Sequence, residues 1–440
     1  MNFDEATILK VRAKTKFDLL HIEKVLRLLD VLNTFFAHPD LKNQYVLKGG
    51  TALNLFYFPL HRLSVDIDLN YIGLDRQRML QDRKKHEILV GKLLLNKGYS
   101  IKRVPQEHAG GKWRLGYQSF AGYAQNLEID FNYMHRLPLI KTQEKNSIPL
   151  GNVQARGIQL LDLHELAAGK FCALLSRCKP RDLFDAYLLL NDPRIHPQIL
   201  RSCFTVYASF DKIDFSNIKE LPPPQFSLEQ FQRELIGTLP GNQLKISPED
   251  YLSKLFKECK QKISLILPFS DKEQEFLERV NHNGQISPEL LSKNETVQKI
   301  IMLHPMLQWK VFNVRQYLKQ HSEDFSGKDI LPKKSVEQVT GKQTSNEILL
   351  RDPIQFTGGL VDPKKQTAEL NRQLYWLVRE AKIWSHIPAD RFRNMTPQER
   401  VDMILSVPEE IRNKIPPPPS PETEKSLKRN KKGPYKGPER

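Results

Sequence analysis

At 440 residues the chain is too long for one ordinary core, and domains of about 100–200 residues predict two or three units. Hydrophobic residues at 40% and charged residues at 27% exclude collagen-like, wholly disordered and membrane-embedded classes, and no apolar run approaches the ~18 residues of a spanning helix. The net charge of +16 is uneven, with 29 basic and 20 acidic side chains in residues 1–200, a balance that suits a polyanionic partner as well as plain solubility.

The N-terminus carries no secretory apolar segment, so a cytoplasmic location without membrane attachment is expected. Cys172, Cys178, Cys203 and Cys259 form no CxxC pair, which argues against a structural zinc and a disulfide framework. In chain order, Leu19, Leu20, Ile22, Leu26, Leu29, Leu32 and Phe36 recur at a helical period over residues 16–36. A short strand at 45–47 ends in Gly49-Gly50-Thr51, and a helix-like stretch continues to Phe58. Residues 65–72 read as a strand, and residues 76–97 as a charged helix closed by Gly98. Strands at 99–104, 113–119 and 127–133 follow. Beyond about residue 135 the pattern is mostly helical.

Asp162 opens a helix, with Glu165 placed to complete a capping box. Ser247-Pro248, Ser287-Pro288 and Thr396-Pro397 put a cap before a proline at the first helical position, and Ser270 with Glu273 makes another capping box. Pro222-Pro223-Pro224 reads as a linker. Residues 324–368 are weakly periodic, and 416–440 combine a proline run with a basic tail that should be disordered. The expected class is α+β: a small mixed-sheet core, a mostly α-helical C-terminal region and a disordered basic tail. The expected domains are 1–200 (core about 40–135, helical part 155–200), 225–415 and the tail 416–440.

The chemistry concentrates in residues 48–69. A Gly-Gly-Thr turn joins a strand to a helix, and Asp66-Ile67-Asp68 follows on a second strand. Residues i and i+2 of a strand share a face, so the two carboxylates converge. Adjacent carboxylates are unfavourable without a cation between them, and hard oxygen ligands suit Mg²⁺ or Mn²⁺. The backbone N–H groups of Gly49, Gly50 and Thr51, at a helix N-terminus, can receive a triphosphate. Leu127-Glu128-Ile129-Asp130-Phe131 alternates so that Glu128 and Asp130 lie on one face. Either acid can complete a metal set with Asp66 and Asp68, and the order apolar–Asp–apolar favours Asp130. On the helix after Asp162, Lys170 and Arg177 lie within an apolar stripe and should meet anions: phosphates or carboxylates. Arg181, Asp182 and Asp185 follow Pro180, with Arg181 and Asp185 spaced for an i,i+4 ion pair. They admit a structural network bracing two helices as well as a site role.

Gly49-Gly50-Thr51, Arg62-x-Ser64-x-Asp66-Ile67-Asp68, Asp130, Lys170, Arg177 and Arg181-Asp182-x-x-Asp185, taken in this order, resemble the AbiEii/AbiGii toxin family. These are nucleotidyltransferases of the DNA polymerase beta-like superfamily. The resemblance covers about residues 40–195. The turn reads Gly-Gly-Thr where the wider superfamily often has Gly-Ser. The resemblance implies a toxin of a toxin–antitoxin or abortive-infection (phage-defence) system, with a cognate antitoxin encoded nearby. It would transfer NMP from an NTP to an acceptor, in several members the 3′ end of tRNA.

The expected mechanism has two metals held by Asp66, Asp68 and Asp130, and a catalytic set that adds Lys170, Asp182 and Asp185. Gly49, Gly50, Thr51, Arg62, Ser64, Lys170 and Arg177 are expected around the nucleotide. Within the same chemistry, the acceptor can instead be a protein hydroxyl (AMPylation) or a small molecule. A catalytically silent RNA- or nucleotide-binding module is the alternative of another class.

Overall fold

The computed structural model describes residues 3–105, 107–241 and 244–321 and, beyond them, Met403 and Val407. Helices α1 (Glu5–Thr15) and α2 (Leu19–Ala37) each begin on an aspartate, Asp4 accepting from the Thr7 N–H and Asp18 from the His21 N–H. The predicted apolar stripe of α2 is buried from Ile22 to Phe36. One turn, α3 (Pro39–Lys42), leads into strand β1 (Tyr45–Lys48). Helix α4 (Gly49–Ala52) then runs straight into a π-turn over Leu53–Tyr57, and strand β2 (Asp66–Tyr71) follows. Helix α5 (Arg76–Asn96) ends before Gly98, whose φ of +83° is the left-handed conformation expected after a helix.

Strands β3 (Ser100–Arg103), β4 (Gly110–Gln118) and β5 (Ala124–Asn132) fall where alternation places them. Two three-residue strands beyond residue 135, β6 (Gln143–Lys145) and β7 (Ile158–Leu160), add to the predicted pattern. They are too short to show a period. The sheet order is β3-β4-β5-β2-β1-β7-β6, with β2 parallel to β5, β1 parallel to β7, and the other neighbours antiparallel. The sheet is mixed, as the sequence implies.

Further helices are α6 (Leu163–Arg177), α7 (Pro180–Leu190), α8 (Pro197–Ser209), α9 (Leu228–Glu234), α10 (Pro248–Lys262), α11 (Asp271–His282), α12 (Glu295–Leu303) and α13 (Pro305–Gln320). Ser247 caps α10 through the Asp250 N–H, and Ser270 with Glu273 forms the expected capping box on α11. Ser287 leads only a 3-10 turn, Pro288–Leu290, and makes no side-chain cap.

Asp162 caps α6 by accepting from the His164 N–H, but Glu165 does not close a box with it. Its carboxylate accepts instead from the Leu139 and Ile140 N–H groups and from the Tyr207 hydroxyl, donors that a local motif cannot reveal. The cap at Thr396, the stretch 324–368 and the tail 416–440 lie outside the described residues.

One cluster of buried residues extends from Phe3 to Leu277, so α9 and α10 share it with the sheet and α2. Beneath β5, Phe131 meets Phe35 of α2, Tyr45 of β1 and Trp113 of β4 at ring-centroid distances of 6.3, 5.4 and 6.1 Å. That aromatic packing anchors the apolar face of the strands whose other face carries the acids.

Candidate active site

The parallel pairing of β2 with β5 sets Asp66 beside Glu128 and Asp68 beside Asp130. Ile67, Ile129 and Phe131 are buried on the core side, and the four acids stand half-buried on the other. Strand β4 adds cations in register, Lys112 opposite Asp130 and Arg114 opposite Glu128. Glu128 is held by Lys112 and Arg114, each at 3.1 Å. Burial raises its pKa, but the bond from Lys112 and the charge of Arg114 outweigh it and the net shift is downward.

Asp66, Asp68 and Asp130 make no side-chain hydrogen bond or ion pair among the described residues. Burial, and then the charge of Asp68, push both Asp66 and Asp130 above the ordinary aspartate value. The charges of Lys112, Arg181 and Lys24 on Asp66, and of Lys48 and Lys112 on Asp130, offset only part of this, and no cation pairs directly with the three carboxylates among the described residues.

The glycine turn abuts them. Gly49 has φ +73°, and a Cβ there would overlap the Asp68 carboxylate, so both backbone conformation and space require glycine. Lys48, at the N-cap of α4, gives no side-chain cap, which leaves the leading N–H groups of the turn uncapped. Thr51 is buried, its hydroxyl donating to the Asp66 carbonyl and hydrogen-bonded to the Ser64 hydroxyl at 3.0 Å.

Below the turn lies a second cluster. Arg62 is 2% exposed and grips fully buried Asp185 in bidentate fashion, Nε at 2.8 Å and the second nitrogen at 2.7 Å. Its third nitrogen donates to the Leu63 carbonyl. Lys170 Nζ reaches both Asp182 and Asp185 at 3.0 Å, and Arg177 Nε reaches Asp182 at 2.9 Å. Burial alone would pull Lys170 down, but Asp185 and Asp182 reverse it and its pKa rises. For Asp185, burial is outweighed by Arg62 and Lys170, and its carboxyl falls far below the usual range. Among these, only Arg177 is exposed.

The resemblance implies Arg62 and Lys170 around the nucleotide; in the structure all three nitrogens of Arg62 are engaged, and Lys170 meets two carboxylates, one of the two kinds of anion that its place in an apolar stripe leaves open. Arg181 lies half-buried and does not pair with Asp185 as the i,i+4 spacing predicts.

A family profile described as "Nucleotidyl transferase AbiEii toxin, Type IV TA system" matches residues 30–262, more than half the chain. The chain belongs to the AbiEii family. It is a nucleotidyltransferase, and a toxin-type member of a type IV toxin–antitoxin family. Among solved structures it is similar to MenT4, a nucleotidyltransferase toxin from Mycobacterium tuberculosis H37Rv, at 14% identity and a TM-score of 0.47, covering 69% of this chain and 99% of that one. No curated protein matches significantly. Among the described residues, no helix is long and apolar enough to cross a membrane.

Members of such a family use an NTP and a divalent metal, and the donor set here fits one. It is all carboxylate oxygen and lacks a competing cation within ion-pair distance. Among the described residues no three His, Cys, Asp or Glu side chains form a ready three-ligand group. Mg²⁺ does not demand one, because it takes one or two carboxylates and completes its octahedron with water and substrate phosphates.

Sequence reasoning missed Lys24, whose charge faces Asp66 and Glu128 across a half-buried surface, and Lys112, which faces Asp66 and Asp68. The alternation Lys112-Trp113-Arg114 carries a signal for the second, since it mirrors Glu128-Ile129-Asp130. Nothing local marks Lys24.

Proposed function

We propose that this AbiEii protein transfers NMP from an NTP to the 3′-terminal hydroxyl of tRNA. The observation that carries the reading is the set Asp66, Asp68 and Asp130, without a direct ion-pair partner, against the uncapped Gly49–Thr51 turn. In the reaction the acceptor oxygen bonds to the α-phosphorus, the bond to the β-phosphate bridge breaks, and pyrophosphate leaves. Asp66, Asp68 and Asp130 would hold one or two Mg²⁺ (or Mn²⁺) ions, which supply charge to the phosphates and acidity to the acceptor hydroxyl.

The chain's own groups do the rest. Backbone N–H groups of Gly49, Gly50 and Thr51 receive the phosphate oxygens. Ser64 fixes the Thr51 hydroxyl, and the Asp182–Lys170–Asp185–Arg62 cluster holds the floor beneath the turn. Glu128 serves the acid face through Lys112 and Arg114 rather than as a ligand. The half-exposed cations Lys24, Lys112, Arg114, Arg177 and Arg181 around that face, together with the +9 balance of residues 1–200, support an RNA acceptor.

The test is incubation of purified protein with each α-labelled NTP, Mg²⁺ and bulk RNA. Label is expected in RNA of tRNA size. Label in the protein fraction would instead establish AMPylation, and label in a small molecule the third acceptor class. NTP binding without any transfer would overturn the enzymatic reading in favour of a silent module.

A further inference from the structure

Asn54, which no part of the reaction scheme employs, sits fully buried in the π-turn behind the glycine turn. Its side-chain amide donates from Nδ2 to the Gly50 carbonyl at 2.9 Å and to Asp185 Oδ1 at 3.1 Å. Its own Oδ1 has no partner. Leaving a buried amide oxygen unsatisfied is unfavourable, and an apolar side chain of similar size would avoid the penalty. The arrangement therefore makes sense by what the amide connects.

On one side is Asp185, immobilised by Arg62 and Lys170. On the other is the Gly50–Thr51 peptide. The surface below Gly50 is equally tight, for a Cβ there would come within 3.1 Å of both an Arg62 nitrogen and Ser64 Oγ. A peptide unit is planar and trans, so its C=O and N–H point in opposite directions. The Gly50 carbonyl accepts from the Leu53 N–H as well, and the Asn54 amide adds the bond that ties it to Asp185; held there, it directs the Thr51 N–H away from the buried cluster and toward the side where the turn is uncapped.

We infer that Asn54 is a positioning residue for nucleotide binding, which fixes the Gly50–Thr51 peptide to the Asp185 ion cluster so that the turn presents its N–H groups to the triphosphate before it arrives. The inference rests on the reading that this turn receives the NTP. It also accounts for a buried ion cluster in a place where apolar packing would hold two helices together as well: charged floors are retained where one geometry must be specified. Catalysis gains from donors that need no reorganisation when the ligand binds.

The test uses the full chain, with NTP and Mg²⁺ titrated calorimetrically, steady-state transfer kinetics and melting curves. Asn54→Ala removes both bonds and should weaken NTP binding and raise KM for NTP at least tenfold, with kcat changed less than threefold. A purely structural role would lower the melting temperature and the active fraction without moving KM. Asn54→Ser separates the two bonds. A serine hydroxyl four residues on can bond back to a helical carbonyl, so it keeps a contact to Gly50 while losing Asp185. With the link to the cluster cut, it should also bind NTP at least tenfold more weakly than the parent.

An alanine variant that folds and keeps the parent's NTP affinity overturns the inference. If the alanine variant does not fold, the serine variant decides: near-parent binding by folded Asn54→Ser overturns it, and tenfold weaker binding upholds it. If the parent protein itself binds no NTP, the nucleotidyltransferase reading of the turn and this inference both fall. If the parent binds NTP without transferring NMP, only the acceptor chemistry fails, and the binding comparison still judges Asn54.

Discussion

Two clusters of carboxylates approach the same glycine turn, Asp68 against Gly49 and Asp185 beneath Gly50. The lower cluster is internally compensated. Asp182 and Asp185 meet Arg62, Lys170 and Arg177, and both carboxyls lie below their ordinary pKa because these cations outweigh burial. The upper cluster is not: burial and mutual repulsion raise Asp66 and Asp130. The contrast separates two uses of charge. Paired buried ions can specify a geometry, whereas neighbouring acids without a partner are the arrangement that the divalent cation proposed for this face would relieve.

The largest effect should come from breaking the upper cluster. Asp66→Asn or Asp68→Asn should lower NMP transfer by at least 10⁴-fold, about 5.5 kcal/mol on the barrier. The melting temperature should hold or rise, because a repelling charge is removed. Transfer within tenfold of the parent protein, in a labelled-NTP assay, would show that these acids do not carry the chemistry. A matching loss in the lower cluster should appear as instability. Asp185→Ala leaves Arg62 and Lys170 buried without their shared anion, which should cost about 3–5 kcal/mol in urea unfolding. A loss under 1 kcal/mol would mean that the cluster is solvated and not a floor.

The two clusters were not equally legible. Alternation over Asp66-Ile67-Asp68 and Glu128-Ile129-Asp130 shows that the acids share faces, and the resemblance in motif order joins the strands. The pairing register then sets Asp68 beside Asp130. The lower cluster was half legible. Cations at Lys170 and Arg177 within an apolar stripe demand anions, and Asp182 answers from twelve and five residues away. Asp185 was misread because its main partner is Arg62, 123 residues distant, in place of the i,i+4 neighbour Arg181. Local spacing proposes local partners, and burial selects others. The engagement of Glu165 was invisible for the same reason, its donors lying 25, 26 and 42 residues away, whereas β6 and β7 were invisible because three residues show no period.

A third and smaller effect concerns Glu165, a lone buried acid that belongs to neither cluster. Burial pushes it up to about 7, against the opposing bonds from Tyr207, Leu139 and Ile140. Between its unfolded value of 4.5 and about 7 the folded chain holds a proton that the unfolded chain has lost. Its contribution is therefore fully present below the lower value and disappears as pH rises through the upper one. Burial shifts His304 down to about 4 and His135 in the same direction, which acts oppositely on stability. Glu165→Gln isolates the acid, since the amide oxygen can still accept from the Leu139 and Ile140 N–H groups and its NH₂ can donate to the Tyr207 oxygen. From pH 5 to pH 8 the parent protein should lose about 2–3 kcal/mol relative to the variant. A constant difference across that range, in denaturant unfolding, would place the Glu165 titration outside it.

The smallest effect tests the acid face itself, where Glu128 and Asp130 occupy the same side of one strand. Their environments differ: Glu128 has Lys112 and Arg114 at 3.1 Å, whereas Asp130 has neither bond, is more deeply buried and faces Asp68. Those cations are about half exposed, with side-chain accessibilities of 50% and 54%, so water screens the pairs and they contribute little to stability. Glu128→Gln should consequently shift unfolding by less than about 1 kcal/mol. Transfer should fall no more than about fivefold, an effect of about 1 kcal/mol through loosened positioning of Lys112. Asp130→Asn, made in parallel, should resemble the Asp66 and Asp68 variants in kinetics while leaving the fold intact. If instead Glu128→Gln abolishes transfer and Asp130→Asn spares it, the third carboxylate of the site is the paired one. Compensation by neighbouring cations would then not distinguish a structural acid from a ligand in this fold.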